Sequence, residues 1–227
     1  MYDPGFSLRM GTATDPFLTA AHARRTRTRA VLALVGVGWF VLVVLALHAL
    51  RPEVDPMGRL LSAYAGGPYG GLLPSAFVAV GLGSWALVAA MRSTDTALGR
   101  ARAGHLALGL WGVGAIVAGL RAAGLIDVAE GTYVVFAQGS FGSMLVGILL
   151  IALAMKRDDR FQKCARRAFA TFAVALSLYA AMFAYFVPSG PAGLGQRLFV
   201  GVLLVWLLGV STRLHALARQ EADALAA

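Results

Sequence analysis

Six long apolar runs constrain this chain more than any other feature. They lie at about 30–50, 70–91, 103–122, 134–155, 166–187 and 197–215. A bilayer core of about 30 Å is crossed by roughly 20 helical residues, and every run has about that length. The runs are continuous rather than alternating, which favours helices over barrel strands, because a helix satisfies its own backbone polar groups in lipid. Composition agrees, with 59% hydrophobic and 14% charged residues, where a soluble domain has about 45–50% and about 25%. So few charges leave a soluble surface uncovered. The chain reads as an all-α, polytopic bundle of six transmembrane helices in the cell (inner) membrane. A basic N-terminal segment (1–29) precedes the membrane domain (30–215), and a tail (216–227) follows it.

The basic residues orient the bundle. Twenty Lys and Arg against eleven Asp and Glu give a net charge of +9. With the N-terminus cytoplasmic, the inner side holds Arg9, Arg24, Arg25, Arg27, Arg29, Arg92, Arg100, Arg102, Lys156, Arg157, Arg160, Lys163, Arg166, Arg167, Arg213 and Arg219. Only Arg51, Arg59, Arg121 and Arg197 remain outside. This split of sixteen to four follows the positive-inside rule and places both termini in the cytoplasm. No apolar run precedes the basic cluster, so no cleavable signal peptide is expected. The stretch HARRTRTR, His22 to Arg29, reads as an anchor on anionic membrane lipid. A soluble basic face is missing, so nucleic acid is not an expected partner. The tail from Ser211 is expected to continue the last helix.

The first outer loop, RPEVDPMGRLLSAYAGGPYGG, carries a helix pattern. Asp55-Pro56 resembles an N-cap with proline in the first turn. Met57, Leu60, Leu61 and Tyr64 then share one apolar face, and Gly66-Gly67 ends the segment. The expectation is a short amphipathic helix at the outer interface, with Tyr64 and Tyr69 as headgroup-level anchors and Arg59 and Ser62 on the opposite face. Arg121, at the outer end of the third helix, is costly in lipid unless it snorkels or pairs with Asp127 or Glu130. The outer acids Glu53, Asp55, Asp127 and Glu130 balance the four outer arginines. These ion pairs either fix the loops or border a polar pocket that takes a headgroup or small ligand. Such a pocket would draw on Arg59, Ser62, Tyr64, Tyr69, Arg121, Asp127, Glu130 and Gln138. If helical, Asp127 and Glu130 would also share a face and could hold a divalent cation.

Within the spans, Ser75, Ala79 and Gly83 recur at four-residue spacing, as do Gly139, Ser143 and Gly147, and Ala173, Ser177 and Ala181. Small residues at this spacing let helices approach closely, either within the bundle or against a protein partner. No Asp, Glu, Lys or Arg lies near the centre of any run, which argues against a pump or ion-coupled carrier. A bis-histidine haem would need His105 and His215 to face each other, yet both stand at a headgroup boundary where a solvated histidine is ordinary. The single cysteine, Cys164, forms no intramolecular disulfide and no cysteine cluster. No soluble-type catalytic motif is present. The expectation is therefore no metal and no cofactor.

Gly58 to Met91, GRLLSAYAGGPYGGLLPSAFVAVGLGSWALVAAM, carries Leu61, Ser62, Tyr64, Gly67-Pro68-Tyr69-Gly70 and Gly81-Leu82-Gly83. These positions resemble a bacterial and archaeal membrane family catalogued as domain of unknown function 998. The chain departs from that pattern at Ala63, where the family has an acidic residue. It departs again at Gln138 and Ser140, where a histidine is expected. The resemblance implies a six-helix layout and no particular reaction. The first expectation for function is an accessory or scaffold subunit of a larger membrane complex, with lipid binding. The alternatives are an outer-face enzyme acting on a lipid or isoprenoid, and a small-molecule carrier.

Overall fold

The computed structural model describes residues 16–226, with side chains from 21 to 225. Arg9 and the start of the basic N-terminal segment lie outside the described residues. The spans are α1 (Pro16–Leu50), α2 (Leu72–Arg92), α3 (Arg102–Ala122), α4 (Glu130–Met155), a composite fifth span, and α7 (Ala192–Ala226). The fifth span joins α5 (Gln162–Ala181), a π-helical turn (Met182–Phe186) and the one-turn α6 (Val187–Ser189). Six helices are long and apolar enough to cross a membrane, and no strand occurs among the described residues. The fold is thus all-helical and multi-pass.

The helices form a closed ring. Each span packs on the next in sequence, α5 packs on α7, and α7 returns to α1. With six crossings, both termini leave from one end. Here α1 and α7 extend beyond the runs read from hydropathy. Each has 35 residues, or about 52 Å at 1.5 Å per residue, well beyond a core of about 30 Å. The basic stretch from His22 to Arg29 is therefore helical and continuous with the first span. Ala23, Thr26 and Ala30 are buried on one side of it, while Arg24, Arg25 and Arg27 are exposed. Ala218 and Leu214 are buried on the corresponding end of α7.

The ring is held by close backbone approach. A Cβ on Gly36 of α1 would strike the Ala79 carbonyl oxygen and come within 3.0 Å of the Gly83 Cα. Ala79 and Gly83 thus serve the α1–α2 contact. The third member of that row, Ser75, is exposed and accepts a hydrogen bond from the Trp39 indole N–H at 3.0 Å. On the other side of α2, a Cβ on Gly81 would meet the Gly112 carbonyl oxygen at 2.6 Å. The α4 row divides: Gly147 lies against the Leu108 backbone on α3, Ser143 caps back to the Ser140 carbonyl at 2.7 Å, and Gly139 is exposed with nothing beside it. In lipid, where apolar attraction between helices is lost, such contacts carry much of the association.

The fifth span is irregular for a local reason. Pro188 has no N–H and its ring would clash with the preceding turn of an α-helix. The wider π turn just before it absorbs that change of register. Gly190, at φ +102°, then ends the span. Aromatic rings cross the interior from Trp111 to Phe141 (5.5 Å between centroids), Phe199 (5.2 Å) and Tyr179 (5.3 Å), joining α3, α4, α7 and α5.

Replacing Gly36 with Leu is expected to destabilise the bundle by about 1–3 kcal/mol through overpacking. Gly38→Leu, two residues further along with open space around it, is expected to leave stability unchanged. Thermal unfolding in mild detergent compares the two.

Candidate functional site

At the end opposite the termini, the loop between α1 and α2 lies across the bundle. Instead of one amphipathic α-helix it folds as a capped turn followed by a short 3-10 helix, Leu61–Ala65. The Asp55 carboxylate accepts from the Met57 and Gly58 N–H groups at 2.9 and 2.8 Å, as its N-cap pattern predicts. These two bonds hold the Asp55 carboxyl below its ordinary range. The stabilisation they supply is present above the ordinary Asp value of 3.8 and is lost as pH falls through the lowered one. Leu60 is extended and breaks the helix. The break is explained by the tethers to α7. Gln196 Oε1 accepts from the Leu61 N–H at 2.7 Å, the Arg59 carbonyl accepts from Arg197 Nη1 at 2.7 Å, and the Met57 carbonyl accepts from the Leu194 N–H at 2.9 Å.

The apolar face of the loop therefore splits. Leu61 and Tyr64 are buried, whereas Met57 and Leu60 are exposed. Tyr64 is 1% exposed, so it is not a headgroup-level anchor; its ring lies against His48 at 5.1 Å, with the Arg197 guanidinium 5.8 Å away. Tyr69 is exposed, in a turn where its φ is +62°. Arg51 is buried and donates to the Gly66 carbonyl and to the Pro68 carbonyl at 3.0 Å, while pairing with Glu53. That hydrogen bond from Arg51 holds the Glu53 carboxyl below its ordinary range. At Gly67 (φ +74°) a Cβ would come within 3.0 Å of Arg51 Nη2, so both backbone and space call for glycine.

Beneath this loop lies a cavity of about 170 Å³. Its walls are mostly apolar: Phe40, Phe77 and Val80 from α1 and α2, Trp111, Gly114, Ala115 and Ala118 from α3, Val134, Ala137 and Phe141 from α4, and Val200 and Leu204 from α7. The polar lining is Ser62, Arg121, Glu130, Tyr133, Gln138, Ser140 and Gln196. Arg121 pairs with Glu130, and its guanidinium lies 4.2 Å from the Tyr133 ring centroid, a cation–π distance. Gln138 Oε1 accepts from the Tyr179 hydroxyl at 3.0 Å. Trp111 is nearly buried, and its indole N–H has no hydrogen-bond partner among the described residues.

Of the residues expected to share a pocket, Ser62, Arg121, Glu130 and Gln138 do line this cavity. Arg59 is exposed above it and contributes its carbonyl to the loop tether. Asp127 is exposed in the connection before α4 and does not line the cavity. Because α4 starts at Glu130, the two acids do not share a helix face. Among the described residues, no group of three or more His, Cys, Asp and Glu is placed to hold a metal. His105 and His215 stand on α3 and α7, which are not neighbours in the ring. Trp111, Tyr133 and Gln196 are polar lining residues that no sequence pattern singles out, while Ser140, noted beside Gln138 as a departure from the family pattern, also lines the cavity. Only the fold brings their helices together, although an indole or amide within an apolar run is a usable signal.

Fold and site together define a six-span helical membrane protein with a covered, mostly apolar cavity at one end. The chain belongs to the family described as protein of unknown function (DUF998), whose model matches residues 34–213. No curated protein and no solved structure matches it.

In a double-mutant cycle, Arg121→Met and Glu130→Gln are expected to couple by up to about 1 kcal/mol, the range of exposed ion pairs. Arg121→Met and Asp127→Asn are expected to be additive. Unfolding of the single and double variants in detergent measures both.

Proposed function

We propose that this protein is a non-catalytic accessory or scaffold component of a larger assembly in the cell (inner) membrane, and that its cavity holds an apolar or amphiphilic molecule of the lipid or isoprenoid class. The carrying observation is the chemistry of the cavity. Aromatic and small aliphatic residues make most of its wall, and its charged groups, Arg121 and Glu130, are committed to each other. An apolar ligand gains from such a wall. The accessory role draws on the fifth span. Only 11% of its most apolar stretch is buried, against 33–50% in the others. Ala173 and Ser177 on it are exposed, small enough for a partner helix to approach closely.

An outer-face enzyme acting on a lipid or isoprenoid would need a free acid or base at the cavity, and the paired Arg121 and Glu130 supply neither while Asp127 stands apart. The binding reading is preferred on that ground. Its test is to purify the protein in mild detergent and identify retained small molecules and protein partners by mass spectrometry. Ala118→Phe fills the cavity, and is expected to lower the retained ligand on the order of tenfold or more without lowering the melting temperature. Retention unchanged by Ala118→Phe would remove the cavity from the proposal.

The orientation belongs to the same reading: the end bearing the termini and most of the Lys and Arg faces the cytoplasm. In a Cys164→Ala background, Ala63→Cys places a thiol on the exposed face of the loop. It is expected to react with a membrane-impermeant maleimide in intact cells, whereas native Cys164 reacts only after lysis.

A further inference from the structure

The end that carries the termini holds a groove of the opposite character to the cavity. Between α1 and α2, Arg25, Arg29 and Arg92 line an open depression of about 510 Å³, together with His22, Trp85 and Val88. The three arginines come from two helices: Arg25 and Arg29 lie one turn apart on α1, and Arg92 is the last residue of α2. Arg25 and Arg92 are exposed. Arg29 is half-buried, and its Nη1 donates to the Ala89 carbonyl at 3.1 Å, which fixes its head beside the groove. No carboxylate lines the groove, and none of the three arginines forms an ion pair among the described residues. Like charges drawn together without a counter-charge repel one another, and an anion among them relieves that repulsion.

The same groove has an apolar wall one to two turns further into α2. Trp85 is 43% exposed, and its indole N–H donates to the Gly109 carbonyl of α3 at 3.0 Å, so the protein sets the position of the ring. Leu82, nearly a turn beyond, is exposed as well. A basic end, then an interfacial tryptophan, then an apolar helix surface follows the order of a phospholipid from phosphate to acyl chain. Arg24 and Arg27 are exposed on the same stretch of α1 but do not line the groove. They therefore separate a built site from the general positive field of this end.

We propose that this groove binds the phosphate of an anionic phospholipid through Arg25, Arg29 and Arg92, with an acyl chain laid along Trp85 and Leu82. The site is independent of the cavity at the other end and of which side of the membrane that end faces. It would mark α1–α2 as the part of the bundle that selects its lipid neighbour. For the test, the full chain is placed in phosphatidylcholine nanodiscs containing increasing brominated phosphatidylglycerol. Quenching at Trp85 is read as the difference between the protein and its Trp85→Phe variant. The expected result is quenching at a lower mole fraction of brominated phosphatidylglycerol than of brominated phosphatidylcholine. Arg25→Gln with Arg92→Gln removes two exposed guanidiniums and is expected to raise the half-quenching fraction roughly 25-fold, about fivefold for each charge. Arg24→Gln with Arg27→Gln removes the same charge and is expected to leave it unchanged. Equal quenching by the two lipids, or an equal loss in both double variants, would overturn the proposal. Inorganic phosphate is expected not to relieve the quenching; relief would overturn the lipid as the source of the phosphate.

Discussion

The close approach of helix backbones at small residues is the contact on which the rest of the bundle depends. In lipid, burying an apolar side chain against a neighbouring helix gains little over burying it in acyl chains, so packing distance matters more than hydrophobicity. The second helix is gripped on two sides within five residues, 79–83. Gly83 and Ala79 lie on the Gly36 backbone of α1, and Gly81 lies on Gly112 of α3. With α1, α2 and α3 locked in this way, α4 follows on α3 through Gly147 against Leu108, and α7 closes the ring between α5 and α1. The fifth span shows the contrast. Its wall toward the interior is aromatic, through Tyr179, and its opposite side is largely exposed.

Closure by α7 also creates the cavity. The first turns of α7 bring Leu194, Gln196 and Arg197 under the α1–α2 loop, and three hydrogen bonds between these residues and the loop draw it over the end of the bundle. The cavity stays open beneath because the facing positions are small, with Gly114, Ala115, Ala118 and Ala137 opposite larger rings. A Cβ at Gly114 would strike the Ser140 hydroxyl, so α3 and α4 leave no room for a larger side chain at that level. The basic groove at the far end arises from the same antiparallel pairing of α1 and α2, which brings Arg92 beside Arg25 and Arg29.

Much of this arrangement follows from local patterns in the residues, and the remainder turns on contacts between distant segments. The six spans, the Asp55 cap, the end of the loop helix at Gly66-Gly67 and the pairing of Arg121 with an acid near the next helix all follow from local patterns. Glu130 rather than Asp127 is the partner because α4 begins at Glu130, and helix starts are poorly set by a glycine-rich sequence. Tyr64 reads as an interfacial anchor because tyrosine favours that level, but Gln196 and Arg197, more than a hundred residues away, pull the loop inward and bury it. The α2 small-residue row is read as a contact face and is one at Ala79 and Gly83. The Gly139 end of the α4 row faces open space, since spacing alone does not tell which side of a helix meets a neighbour.

Local patterns in the residues are enough to make the chain a multi-pass helical membrane protein with its basic residues concentrated toward one end, and they point to the family. Those properties depend on the length of apolar runs, on composition and on residues close in the chain. It takes the packing of distant segments to put Ser62, Gln138 and the Arg121–Glu130 pair in one cavity with Trp111, Tyr133 and Gln196, and to join Arg92 with Arg25 and Arg29 in one groove. Those groupings depend on which helices become neighbours and on how each is rotated about its axis. Close packing between distant segments settles both, and no local pattern encodes it.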